Sequence, residues 1–462
     1  MLFSLILFIS TILFTDSLQN KVEKFQNSLQ MKHSTVVASV WNNTKKEQVV
    51  GFNAEKWISP ASTLKLVTTA TAFSLLDRKQ PFTTSFQLSG SILNDELVGD
   101  IVVYPSGDPT FGSPRWPSKN VYKEICDALL ARGIRRISGQ IRLSVIHSPE
   151  IPDGWIWGDI GNYYGAVPHF FNYAENSFTT YFEGAKQVGK PAKISGFSRN
   201  LLGYQAHNEV ITGMQDSGDQ VMIYSSPLSQ TIWLKGTVPA GSSRFPVKGT
   251  LPNPWKTFCT ELAESFKRYS IFFIETETPD YSPETQLIQF PSPTLSEIVI
   301  LCNQESINLY ADGLLKASFS DKNTYATFLE STEKLRTYWE KQGADWSGFR
   351  MEDGSGLSSQ NLVQAGSYSQ FLGQLTNTAY FQDFLKTLPQ MGVSGTVKNL
   401  PKSKRPVYVK SGTINGVKTY AGFVKNEAGE WLTFFVGVDR YTSKEAKEVR
   451  KFLVNFLVEL GE

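Results

Sequence analysis

The chain has 462 residues, 41% hydrophobic and 19% charged, with a formal net charge of +2. That length allows two or three domains with real cores, and the near-neutral balance lacks the basic footprint of a nucleic-acid binder. Three cysteines without a C-x-x-C pair and four histidines without ligand spacing give no support for metal catalysis, and no G-x-S-x-G marks a nucleophile elbow.

Residues 2–14 (LFSLILFISTILF) are an apolar run too short to span a bilayer comfortably, and polar TDSLQNK follows. The run reads as the hydrophobic region of a secretory signal over residues 1–18. It lacks a preceding basic residue and a small-x-small cleavage site, and a short uncleaved anchor is the competing reading. STVVASVWNN (34–43) and EQVVGFN (47–53) read as a hairpin around an Asn-rich turn. Next comes Ser59-Pro-Ala-Ser62-Thr-Leu-Lys65, running into LVTTATAFSLL. Ser59 is expected to cap a helix and Pro60 to take its first position. Ser62 and Lys65 then share one helix face, a hydroxyl and an amine one turn apart, fit to act as nucleophile and base. The apolar run behind them implies a buried helix, and burial disfavours the charged amine. A second Ser-x-x-Lys, Ser331-Thr-Glu-Lys334, sits among alternating charges and reads as a solvated helix face.

From about residue 80 the texture changes to short strands and turns around one helix (VYKEICDALLARG), which suggests a separate antiparallel unit. An aromatic segment, Gly154-Trp-Ile-Trp-Gly-Asp159-Ile-Gly-Asn-Tyr163-Tyr164, follows. Residues 190–250 are polar with Gly- and Ser-rich turns, the texture of a nested lobe, and 253–270 form an amphipathic helix. Prolines 279, 283, 291 and 293 mark a boundary. A helix (TLSEIVILCNQ) then leads into Ser306-Ile-Asn308, and helical patterns at 323–342 and 361–377 flank Asp353-Gly-Ser-Gly-Leu-Ser. Three antiparallel strands (RPVYVKSGTI, KTYAGFVKN, EWLTFFVGVDR) and an amphipathic helix close the chain. Cys126, Cys259 and Cys302 lie in apolar contexts as expected buried thiols. The topology implied is one domain (19–80 and 291–462) whose end strands pair in a single sheet, with 81–290 inserted.

Three pieces fall in order: Ser62-x-x-Lys65, Ser306-x-Asn308 and Lys410-Ser411-Gly412-Thr413. Strand alternation puts Lys410 and Gly412 on one face and Ser411 on the other. Gly412 is expected to let a substrate backbone approach, with Lys410 and the neighbouring hydroxyls binding a carboxylate. The N–H groups of Thr413 and Ser62 are candidates for an oxyanion hole.

With these motifs the sequence resembles the class C, low-molecular-mass penicillin-binding proteins, D-alanyl-D-alanine carboxypeptidases and endopeptidases. SGDPTF (106–111), WGDIGNYYGA (157–166), SPTLSEIV (292–299), SINLYAD (306–312) and DGSGLS (353–358) carry the resemblance further, over nearly the whole chain. It implies a mixed α/β fold: a serine β-lactamase/DD-peptidase-like transpeptidase domain, antiparallel sheet with helices, interrupted by a large mostly β insertion. It also implies that Ser62 attacks the carbonyl between two D-alanines while Lys65 takes its proton. Ser306 would relay a proton to the leaving amine, and Asn308 would hold a substrate amide. Lys410, Ser411 and Thr413 would bind the terminal carboxylate, and Asp159 would face the substrate's diamino-acid side chain. The implied partners are peptidoglycan stem peptides, and β-lactam antibiotics as covalent inhibitors. No metal or organic cofactor, no nucleic acid and at most peripheral membrane association are implied, in a periplasmic or otherwise exported protein. A β-lactamase or esterase on the same fold, and a non-catalytic wall-binding or penicillin-sensing protein, are the competing readings.

Overall fold

The computed structural model describes residues 18–116, 120–145, 148–227, 229–277, 284–321 and 324–462. The expected signal up to residue 17, the boundary prolines 279 and 283, and His147 lie outside them. Leu18, which the expected signal includes, belongs instead to the folded body: it and Val22 are buried in a core with Leu453 and Phe456 of the last helix, Ala446–Leu460.

The two ends of the chain meet in one antiparallel sheet. Its five strands run in the order Val407–Ile414, Val417–Lys425, Trp431–Asp439, Thr35–Asn42, Glu47–Phe52. Because side chains alternate along a strand, the same residues feed two cores. Val36, Ala38, Val40, Phe434 and Val436 face the last helix, whereas Val37 and Phe435 face a helical layer on the other side. That layer holds the helices Lys65–Leu75, Leu295–Glu305, Asn308–Ala317, Phe328–Lys341 and Ala365–Leu375. In the first of these, every residue from Lys65 to Phe73 is buried. Burial on all sides explains why the segment is apolar without a helical stripe.

The middle of the chain builds its own core. A sheet of Phe272–Glu275, Arg136–Gly139, Glu96–Tyr104, Pro81–Leu93 and Glu284–Thr294, with Ile141–Leu143 paired to Glu96–Tyr104, packs against two smaller three-stranded sheets. The expectation of an antiparallel unit is met by Pro81–Leu93, which pairs that way with both neighbours, and corrected at Arg136–Gly139. Arg136–Gly139 runs parallel to both its neighbours, because the helix Val121–Ala131 carries the chain back across the sheet. Pro291 and Pro293, read as boundary marks, lie just before the helix Leu295–Glu305. They sit in the edge strand Glu284–Thr294, where the register is irregular and no partner needs their missing N–H groups. The strands of 190–250 send Val210, Ile223, Ile232 and Val247 into this same middle core. All three cysteines are free; Cys126 and Cys302 are buried, and Cys259 is half-buried.

Candidate active site

Ser62 does not sit in an α-helix. Pro60 precedes a 3-10 turn, Ala61–Leu64, and the α-helix begins only at Lys65. The expected Ser59 cap therefore fails; its hydroxyl accepts instead from Ala61 N–H at 3.4 Å. The cause is Ala61, whose φ of 47° is left-handed and breaks the helical path. In a 3-10 turn residues three apart eclipse, which brings Lys65 Nζ to 3.0 Å from Ser62 Oγ. The turn is clamped: Pro60 O accepts the hydroxyls of Thr63 and Thr419, each at 2.7 Å. Gly412 belongs to this clamp. A Cβ there would stand 2.6 Å from Pro60 O, so Gly412 is required by the approach of the protein's own backbone.

Lys65 is fully buried, and its Nζ donates to three groups: Ser62 Oγ, Asn308 Oδ1 at 2.6 Å and the Ser355 carbonyl at 2.6 Å. The Asn308 amide is oriented by its own donor, which reaches Tyr164 O at 2.8 Å. Asn308 Oδ1 and Ser355 O are acceptors only. A neutral Lys65 gives its two N–H groups to them and is left with its lone pair facing the Ser62 hydroxyl. Burial pushes the Lys65 amine below the ordinary lysine range, opposed in part by the charges of Asp312 and Asp353. Both carboxylates are fully buried. Asp312 Oδ1 accepts Gly354 N–H, while Asp353 accepts from Trp155 Nε1, Gly356 N, Ser358 N and Asn361 Nδ2. These bonds fix the 353–358 loop whose Ser355 carbonyl meets Lys65.

Ser306 ends the helix Leu295–Glu305 in a left-handed conformation, φ 60°. Its Oγ accepts from Lys410 Nζ at 2.9 Å, and Lys410 also donates to Ser411 O at 3.0 Å. Lys410 is fully buried and touches no carboxylate among the described residues; burial, then the nearby Lys65, hold its amine well below the ordinary lysine value. Ser411 and Thr413 project from the opposite strand face. Ser411 Oγ lies 2.9 Å from Thr396 Oγ1, and exposed Thr413 accepts from Lys418 at 2.6 Å. Asp159 is half-buried on the short helix Trp157–Ile160. Burial pushes its carboxyl up and the Tyr164 hydroxyl opposes that, while Tyr164 O holds Asn308. Ser62, Lys65, Ser306, Asn308 and Lys410 thus form two linked amine–hydroxyl pairs, with Asp159 one residue removed.

The second Ser-x-x-Lys is different. Ser331 is buried, not solvated, and bonds its own helix at Thr327 O, whereas Lys334 is exposed. Ser331, Leu335 and Trp339 make the inner face of that helix, so its serine and lysine are not a pair. The sequence reading missed Ser355, Tyr164 and Thr396. The first two act through backbone carbonyls, which no residue type advertises.

Over 446 residues the chain is 26% identical to the D-alanyl-D-alanine carboxypeptidase DacB of Haemophilus influenzae, covering 91% of this chain and 89% of that protein. A D-alanyl-D-alanine carboxypeptidase from Actinomadura sp. strain R39 is 24% identical over 413 residues, covering 83% and 74%. The crystal structure of penicillin binding protein 4 (dacB) from Haemophilus influenzae has the same fold, with a TM-score of 0.78 at 23% identity over 96% of this chain and 98% of that one. Residues 18–460 match the D-Ala-D-Ala carboxypeptidase 3 (S13) family, and the chain belongs to that family.

Proposed function

We propose that this chain is a serine DD-peptidase that cleaves D-Ala-D-Ala ends, D-Ala–diamino acid cross-links, or both, in peptidoglycan stem peptides. The observation that carries this reading is the Lys65 environment: two carbonyl acceptors and one hydroxyl around a buried amine. Neutral Lys65 takes the Ser62 proton as Oγ attacks the carbonyl of the penultimate D-alanine. The carbonyl carbon gains the Ser62 oxygen and loses the amine of the terminal residue; Ser306 hands that amine a proton and regains one from Lys65, which returns to its neutral form. Lys410 has no carboxylate partner among the described residues, and the terminal carboxylate of the substrate supplies one. Thr413 and Ser411 bind that carboxylate through their hydroxyl protons. Asp159, on the aromatic segment, meets the ammonium of the diamino acid. Water then hydrolyses the Ser62 ester. β-Lactams enter the same route as covalent inhibitors; a second structure of the Haemophilus influenzae protein holds one. Action on the wall places the protein outside the cytoplasm, and no helix among the described residues is long and apolar enough to cross a membrane.

One set of measurements tests this. Penicillin should add a single acyl group, mapped by peptide mass spectrometry to Ser62 and absent in Ser62→Ala, and wild-type enzyme should release D-Ala from pentapeptide. Asp159→Asn should weaken processing of peptides with a free side-chain amine and spare penicillin acylation. Acylation at another serine, or pentapeptide left intact by an enzyme that binds penicillin, would reject the reading.

A further inference from the structure

A cavity of about 320 Å³ lies between the 108–116 loop and the end of the edge strand Glu284–Thr294. Its walls include Phe111, Trp116, Phe290 and Pro293, with Asp108 and Glu297 as its charged members. No lysine, arginine or histidine lines it among the described residues, and none of the proposed catalytic or substrate-binding residues does. Asp108 is 3% exposed. Its Oδ1 accepts both the N–H and the hydroxyl of Thr110, at 2.8 and 2.6 Å. Its Oδ2 accepts no hydrogen bond from any described residue. Exposed Glu297 caps its helix through Oε2, bonding Thr294 N and Oγ1, and has Oε1 to spare.

We propose that this cavity is a second binding site, for a small primary ammonium compound with an aromatic or aliphatic body. A largely buried carboxylate with one oxygen open and no cation beside it among the described residues is costly, and proteins place such groups where a partner arrives. Burial pushes the Asp108 carboxyl up to about 6, and an ammonium partner would favour its ionised form. The aromatic and proline walls select an apolar body, and an ammonium set among them gains from ring faces as well as from charge. A volume of this size suits a ligand of phenethylamine dimensions.

Ligand-observed NMR on the full chain tests the site with phenethylamine as probe and 2-phenylethanol as its uncharged near-isostere. Phenethylamine should bind roughly ten-fold more tightly than the alcohol, and protein preacylated with penicillin should bind it equally well. Asp108→Asn should erase the preference while the protein still melts cooperatively. Should that variant fail to fold, Val121→Phe carries the test: it fills the cavity from its wall and should lose both probes. Equal affinity for amine and alcohol, displacement of the amine by penicillin, or undiminished binding in folded Asp108→Asn or Val121→Phe would each overturn the proposal. The binding measurements do not depend on the DD-peptidase reading, so either can fail alone.

Discussion

At the scale of single residues, the proposed mechanism divides the work between two buried lysines whose protonation states must be opposite. Lys65 has to be neutral to accept the Ser62 proton, so activity rises with pH through its depressed pKa. Lys410 has to be charged to hold a carboxylate, and burial depresses its amine further than that of Lys65. The active pairing of neutral Lys65 with charged Lys410 is therefore a minority form of the free enzyme, and activity falls again at higher pH. The expected kcat/KM profile is a bell with both limbs below the ordinary lysine value of about 10.4. Lys65→Arg keeps the charge and cannot deprotonate, and it should lose roughly 10²- to 10⁴-fold in acylation rate. A flat profile, or an Arg variant near wild-type turnover, would remove Lys65 as the base. The pair itself was legible in the sequence, since a three-residue spacing joins side chains in either helix type. Its geometry was not. The left-handed turn falls on an alanine, a residue type that gives no sign of positive φ, and the same holds for Ser306.

At the scale of elements, the site depends on the 353–358 loop more than its glycines suggest. Asp353 collects four hydrogen bonds, two of them from loop N–H groups, and thereby sets where the Ser355 carbonyl points. Asp353→Ala would strand those donors in a buried setting, at a cost of about 3 kcal/mol or more. Urea unfolding should register that loss, and acylation of the surviving folded fraction should fall because Lys65 loses an acceptor. A variant of wild-type stability and acylation rate would show that the loop holds itself. The strands and helices around the loop were readable from period and turn residues, down to the Asn-Gly turn at 415–416. The parallel strand Arg136–Gly139 and the edge-strand prolines were not, because neighbours in a sheet are fixed by long-range packing that a local pattern does not encode.

At the scale of the whole molecule, the site sits where distant parts of the chain converge. The 59–65 turn packs on strands from the C-terminal end, Ser306 and Asn308 come from a helix junction, and the middle segment reaches in through Tyr164 and Trp155. The end-to-end sheet was foreseen from composition and order, and this convergence is its consequence. It also bears on the difference between a peptidase and a β-lactamase, which form the same Ser62 ester and differ in how fast water removes it. Fast removal needs a base and a water held against the ester. Among the described residues no carboxylate hydrogen-bonds to Ser62 or Lys65, so Lys65 and Ser306 are the available groups. After a peptide is cleaved its amine departs and water can enter that space. A penicilloyl group keeps its leaving amine tethered there. A thousand-fold difference in deacylation amounts to about 4 kcal/mol, within what one displaced water can cause. The penicilloyl enzyme should therefore persist for minutes or longer by intact-mass measurement, with stoichiometric loss of D-Ala release. Sustained nitrocefin turnover at roughly tens per second, with pentapeptide untouched, would make the chain a β-lactamase.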